Sequence, residues 1–76
     1  MKEIRLIAGQ RLRSYRKARN ISVLEAAEYC GCSIQAINSY ERGERTPKLE
    51  RMIKLAELYE VQFEELWVNS KTTEDQ

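Results

Sequence analysis

The stretch that decides the fold is CSIQAINSYERGERTP, residues 32–47. It reads as a short helix, a turn built on one glycine, and a proline. Ser33 suits an N-cap, and Ile37 and Tyr40 lie three residues apart and mark a buried side. Other positions offer Gln35, Asn38 and Ser39, and no charge arrives before Glu41. Arg42 and Arg45 then follow. A small, uncharged, hydrogen-bonding helix face ahead of a basic loop is the pattern to be explained.

Upstream, residues 23–30 are expected to form a helix. Ser22 and Glu25 have the spacing of a capping box, Ala26, Ala27 and Cys30 turn inward, and Gly31 stops the helix. Only GCS, residues 31–33, separates it from the next helix, about 34–41 (33–42 with its flanking residues). Small residues at such a junction let two helices cross closely and steeply. That is the helix-turn-helix arrangement, whose second helix is presented to a DNA major groove.

Three more helices complete the reading. Residues 3–19 repeat apolar positions at Ile4, Ala8, Leu12 and Tyr15, and Asn20 suits a left-handed cap. After the loop RGERTPK, residues 48–59 offer an apolar face of Leu49, Met52, Ile53, Leu55, Ala56 and Tyr59. A short helix at 63–68 holds Phe63, Leu66 and Trp67. Residues 1–69 are read as one domain, and 70–76 as a polar tail expected to fray. At 76 residues no second domain fits, and one proline with three glycines argues against a turn-rich β protein.

The net charge of +1 hides an asymmetry. Residues 1–20 carry seven Lys/Arg against one Glu, and 42–54 carry five against two. Residues 21–41 hold three Glu and no base, and 55–76 hold one Lys against six acids. Positive charge therefore gathers in the first helix and the middle loop, where an acidic partner could be held. Solvated helix faces are the bland alternative.

Other classes find little support. There is no histidine, no Gly-rich phosphate loop and no metal-ligand spacing, so no enzyme, cofactor or small-molecule effector is expected. Cys30 and Cys32 lie too close for an ordinary staple and lack partners for a zinc site. They read as small core residues in a reducing compartment, with a redox switch as the alternative. No apolar run approaches the ~20 residues of a membrane span, and MKEIRLIAGQ lacks a signal peptide's apolar core. A soluble cytoplasmic protein, without membrane contact, is expected.

The chain resembles the Cro/C1-type (lambda-repressor-like) helix-turn-helix domains. The resemblance covers about Ala8 to Trp67 and rests on GQRLRxxR at 9–16, ISxxExA at 21–27, GCS at 31–33, INSYERG at 37–43, Pro47, and KLAELYEV at 54–61. It implies an all-α, five-helix lambda-repressor-like bundle whose third helix reads bases in double-stranded DNA. The base-reading positions map onto Ser33, Ile34, Gln35, Ala36, Asn38 and Ser39. Their chemistry suits base edges. Amides pair bidentately with adenine, Ser donates or accepts, and Ile and Ala pack on thymine methyls. Ile34 has the alternative of packing at the start of its helix.

The resemblance further implies phosphate contacts from Arg42, Arg45 and Lys48, with Arg11 and Arg13 as accessories. Phosphate contacts set affinity and register rather than sequence preference. A family ion pair maps onto Arg16 and Glu41 and is read as structural. Homodimers on palindromic sites are common in the family, with Phe63, Trp67 and Val68 as the candidate interface here. Closing the monomer core is their alternative role. The implied function is a transcriptional regulator, a repressor of phage, mobile-element or small-operon type. A protein-interaction module such as an antitoxin is the competing reading.

Four departures from the family pattern stand out. Val23 replaces a Gln whose amide clamps a phosphate, and Leu24 replaces a polar residue. Glu60 sits where Gly ends the fourth helix, at a cost of about 1 kcal/mol if its backbone is left-handed. Lys48 replaces a small N-cap.

Overall fold

A computed structural model describes the backbone of residues 2–66 and the side chains of residues 5–66. Five helices follow one another: α1 (Lys2–Ala18), α2 (Val23–Cys30), α3 (Ile34–Arg42), α4 (Leu49–Tyr59) and α5 (Phe63–Leu66). The described residues contain no strand. Helix ends fall within a residue of the expected ones through α4, and the expected continuation of α5 over 67–68 lies outside the described residues. No helix among them is long and apolar enough to cross a membrane.

The helix boundaries have identifiable causes. Asn20 takes the left-handed conformation (φ 57°) and lets the Ile21 amide donate back to the Arg16 carbonyl at 3.1 Å. Ser22 Oγ accepts from the Glu25 amide at 3.0 Å, and the Glu25 carboxylate accepts from the Ser22 amide at 2.8 Å. Gly31 ends α2 with φ 69°. Ser33 Oγ then accepts from the Ala36 amide at 3.1 Å and opens α3. Glu60 ends α4 in the left-handed region at φ 58°, so the cost of a left-handed Glu applies.

The core fills the space between α1–α3, α2–α4 and α5. Leu12, Ile37, Met52, Leu55, Tyr59 and Leu66 are its largest fully buried side chains, with Ala26, Ala27 and Ala36 at the α2–α3 junction. Each large aliphatic side chain contributes roughly 1.5–3 kcal/mol, most of it offset by lost chain entropy. So small a core leaves little to spare when one of its polar supports is removed. On α4 the buried stripe is Met52, Leu55, Ala56 and Tyr59. Leu49 and Ile53, expected on that apolar face, are instead 56% and 42% exposed. Ile53 is turned about 100° from Met52 by the helical repeat.

Gly9 sets how closely α1 lies on α3. A Cβ at this position would sit 2.5 Å from the Tyr40 carbonyl oxygen and 2.6 Å from that of Glu41. Mid-helix glycine weakens a helix, and here its missing side chain lets the backbone of α1 meet the last turn of α3. Gly43 serves the same junction. Its φ is 78°, and a Cβ on it would meet the Leu6 Cα at 2.9 Å.

Candidate nucleic-acid interface

α3 is nine residues long, so each face is short. Its inner face is Ala36, Ile37 and Tyr40, all buried. Ser33, Ile34 and Gln35 are exposed, and Asn38 and Ser39 are half-buried. Gln35, Asn38, Ser39 and Arg42 share one stripe through steps of three and four residues, with Ile34 beside Asn38. The stripe offers amide and hydroxyl groups next to an apolar patch, the mixture that base edges in a major groove require.

One expected placement is corrected, and another is given its surroundings. Ala36 is only 5% exposed and belongs to the core, so its methyl has no surface to offer a thymine. Arg11 lies at the α1–α5 junction, where its Nη1 donates to the Glu65 carbonyl at 3.0 Å. The Glu65 carboxylate accepts from the Tyr15 hydroxyl at 2.9 Å at the same junction. Arg13 is exposed on α1 and makes no ion pair among the described residues.

The loop after α3 places its cations differently from one another. Arg42 is engaged at two points with Glu44, Nε to Oε2 at 3.0 Å and Nη2 to Oε1 at 3.1 Å, and both side chains are more than half exposed. Hydrogen bonding to Arg42 holds the Glu44 carboxyl below its ordinary range. Arg45 lies over the Tyr40 ring, 5.7 Å from its centroid. Lys48 occupies the N-cap of α4 and makes no side-chain cap bond.

Arg16 and Glu41 stand behind the stripe. Arg16 Nε donates to Glu41 Oε2 at 2.6 Å and Nη2 donates to Oε1 at 3.1 Å. The third nitrogen, Nη1, donates to the Ile21 carbonyl at 2.8 Å. The side chains are 10% and 6% exposed. One guanidinium thus joins α1, the turn before α2, and the end of α3, so the angle of α3 is fixed from three directions.

At the departures from the family pattern, Val23 is half-buried against the core, whereas Leu24 is 51% exposed. Phe63 is half-buried and packs on the core, and Leu66 lies fully inside it. Trp67 and Val68 lie outside the described residues. Sequence reasoning missed the Glu44 latch on Arg42 and the bond from Arg51 Nη1 to the Tyr40 hydroxyl at 2.9 Å. A Glu two residues after Arg42, across the turn glycine, was the available signal for the first. Nothing in the spacing of residues 40 and 51 announces the second.

Two capped helices joined by a three-residue turn, the second with a polar outer stripe, define a helix-turn-helix module. The family model described as Helix-turn-helix matches residues 12–66, and the chain belongs to this family, in its Cro/C1-type branch. The transcriptional repressor RstR of the cryptic phage CTXphi of Vibrio cholerae is 34% identical over 67 residues, 88% of this chain and 60% of that protein. The HTH-type transcriptional regulator RghRB of Bacillus subtilis is 42% identical over 59 residues, 76% of this chain and 42% of that protein. The chain therefore spans about half the length of these curated relatives. The crystal structure of the restriction-modification controller protein C.AhdI from Aeromonas hydrophila matches with a TM-score of 0.76 at 32% identity, covering 82% of this chain and 94% of that one.

Proposed function

We propose that this chain is a sequence-specific, double-stranded-DNA-binding transcriptional regulator that inserts α3 into the major groove. It acts in the cytoplasm as a homodimer on a palindromic operator, as a repressor of phage, mobile-element or small-operon type. The observation that carries the reading is the uncharged outer stripe of α3, Ile34, Gln35, Asn38 and Ser39, bounded by the cations Arg42, Arg45 and Lys48. Phosphate contacts from those cations hold the register while the stripe reads bases. Ser33 keeps its hydroxyl hydrogen for donation, since its oxygen already caps α3. The family match and the regulators among its relatives support the same reading.

A single module of this size buries limited DNA surface, which favours two copies on two half-sites. Phe63, with Trp67 and Val68 beyond the described residues, is the proposed dimer face, and Leu49 and Ile53 add exposed apolar area on α4. Leu24, half exposed near the start of α2, favours a second reading as a protein-interaction module.

Selection of bound duplexes from a random pool, at about 150 mM salt to suppress purely electrostatic attachment, tests the proposal. A recovered palindrome is expected. A folded protein that enriches no sequence would sink the reading and favour the protein-interaction module. With the selected site in hand, Gln35→Ala is expected to relax preference at one base pair by about 1–3 kcal/mol. An equal loss on every sequence, measured by competition binding, would remove Gln35 from the reading stripe.

A further inference from the structure

Between the end of α3, the following loop and α4 lies a cavity of about 320 Å³. Its rim carries Arg45, Lys48, Arg51 and Lys54, against the single carboxylate of Glu50, and Cys30 and Tyr40 form part of its wall. The ion pairs among the described residues engage Arg16, Arg19 and Arg42, and none engages these four cations. Three of them lie against neutral groups. Arg51 donates to the Tyr40 hydroxyl at 2.9 Å, Arg45 lies 5.7 Å from the Tyr40 ring centroid, and Lys54 lies 5.8 Å from that of Tyr29.

We propose that this cavity is a binding site for a phosphoryl dianion. Four like charges around one small space repel one another, and the phenols beside three of them leave that charge uncompensated. Glu50 alone leaves a net excess of three positive charges, more than a single carboxylate ligand would balance. A phosphoryl group carries two charges and presents several acceptor oxygens, which match the planar fork of Arg51 and the mobile ammonium groups of Lys48 and Lys54. The first turn of α4 adds amide donors on the same side, because Lys48 provides no side-chain cap. The site goes beyond the base-reading stripe: Arg51 and Lys54 belong to α4 and have no part in it.

The ligand is inorganic phosphate or a soluble phosphate monoester, because a nucleic-acid phosphodiester carries only one charge, and one set of measurements separates such a ligand from a duplex backbone. Inorganic phosphate is titrated into the full chain, with sodium chloride of equal ionic strength as control, and amide and side-chain NMR shifts are followed. Saturable shifts at Arg51, Lys54 and Tyr40 that chloride does not reproduce are expected. Lys54→Gln, on an exposed residue, should weaken phosphate at least tenfold, and Arg51→Gln should do the same with helicity retained. In parallel, both variants are tested on the selected duplex. A salt slope lower by about one unit per variant, with no phosphate-specific shift, makes these cations ordinary duplex contacts and overturns the proposal. An unchanged slope with lost phosphate binding assigns it to a soluble anion. The proposal is overturned if phosphate and chloride act alike. If no duplex is selected at all, the DNA reading fails, while the phosphate titration still decides the site.

Discussion

Glu41 and Arg42 are neighbours in the chain, and each belongs to a two-point arginine–glutamate pair. Arg16–Glu41 is 10% and 6% exposed, whereas Arg42–Glu44 is 58% and 57% exposed. The hydrogen-bond geometry is nearly the same. The surroundings make them different devices. The buried pair has given up water on both sides, so losing either partner strands a charge in a poor solvent. The exposed pair competes with water and salt at every moment and contributes little to stability. Arg16–Glu41 therefore ties the end of α3 to α1, while Arg42–Glu44 is a surface pair that, under the proposed function, an incoming phosphate would open.

The largest expected effect breaks the buried side. Glu41→Ala should destabilise the fold by about 3–5 kcal/mol in urea unfolding, and replacing Arg16 and Glu41 together by apolar residues should recover much of that loss. A mild effect of Glu41→Ala would show that the pair is wetter than its exposure indicates. Next comes Gly9→Ala, which tests the backbone contact beside that pair. The added methyl meets carbonyl oxygens at 2.5 and 2.6 Å, so a loss of about 1–3 kcal/mol in thermal or urea unfolding is expected. An unchanged midpoint would mean that α1 can lift from α3 without cost.

Smaller effects sharpen the exposed side. Arg19–Glu60 is another exposed pair, at 3.2 Å, and its Glu sits in the left-handed conformation. Glu60→Gly removes the pair and relieves the backbone, so stability should rise by roughly 1 kcal/mol. A net loss would give that surface pair more weight than its exposure predicts. Glu44→Ala should leave the unfolding midpoint in place. By releasing Arg42, it should steepen the salt dependence of duplex binding by about one unit. An unaltered slope would show that Glu44 does not hold Arg42 away from a phosphate.

Much of this architecture is legible in the sequence, and for local reasons. Capping residues announce themselves within three or four positions, so Ser22–Glu25, Ser33, Gly31 and Asn20 place the helix ends closely. The inner faces of α2 and α3 follow from spacing. What escapes depends on how helices meet. Leu49 and Ile53 read as core because an apolar stripe does not reveal how wide its covering is. Ala36 reads as an outer residue because the family frame runs through consecutive positions, whereas the fold buries one of them. Arg11 looks like any other basic residue until α5 comes to rest beside it. The four cations around the α3–α4 cavity come from a loop and two turns of one helix, and three of them lie against Tyr40 or Tyr29, which belong to other elements.

The division of α3 into two faces has an evolutionary consequence. Ile34, Gln35, Asn38 and Ser39 can be exchanged with little disturbance of Ile37, Tyr40 or the Arg16–Glu41 pair behind them. Under the proposed function, a lineage carrying this module would drift from one target to another by a few surface substitutions while its stability stayed nearly constant. Duplicated copies could part company in specificity long before they differ in architecture.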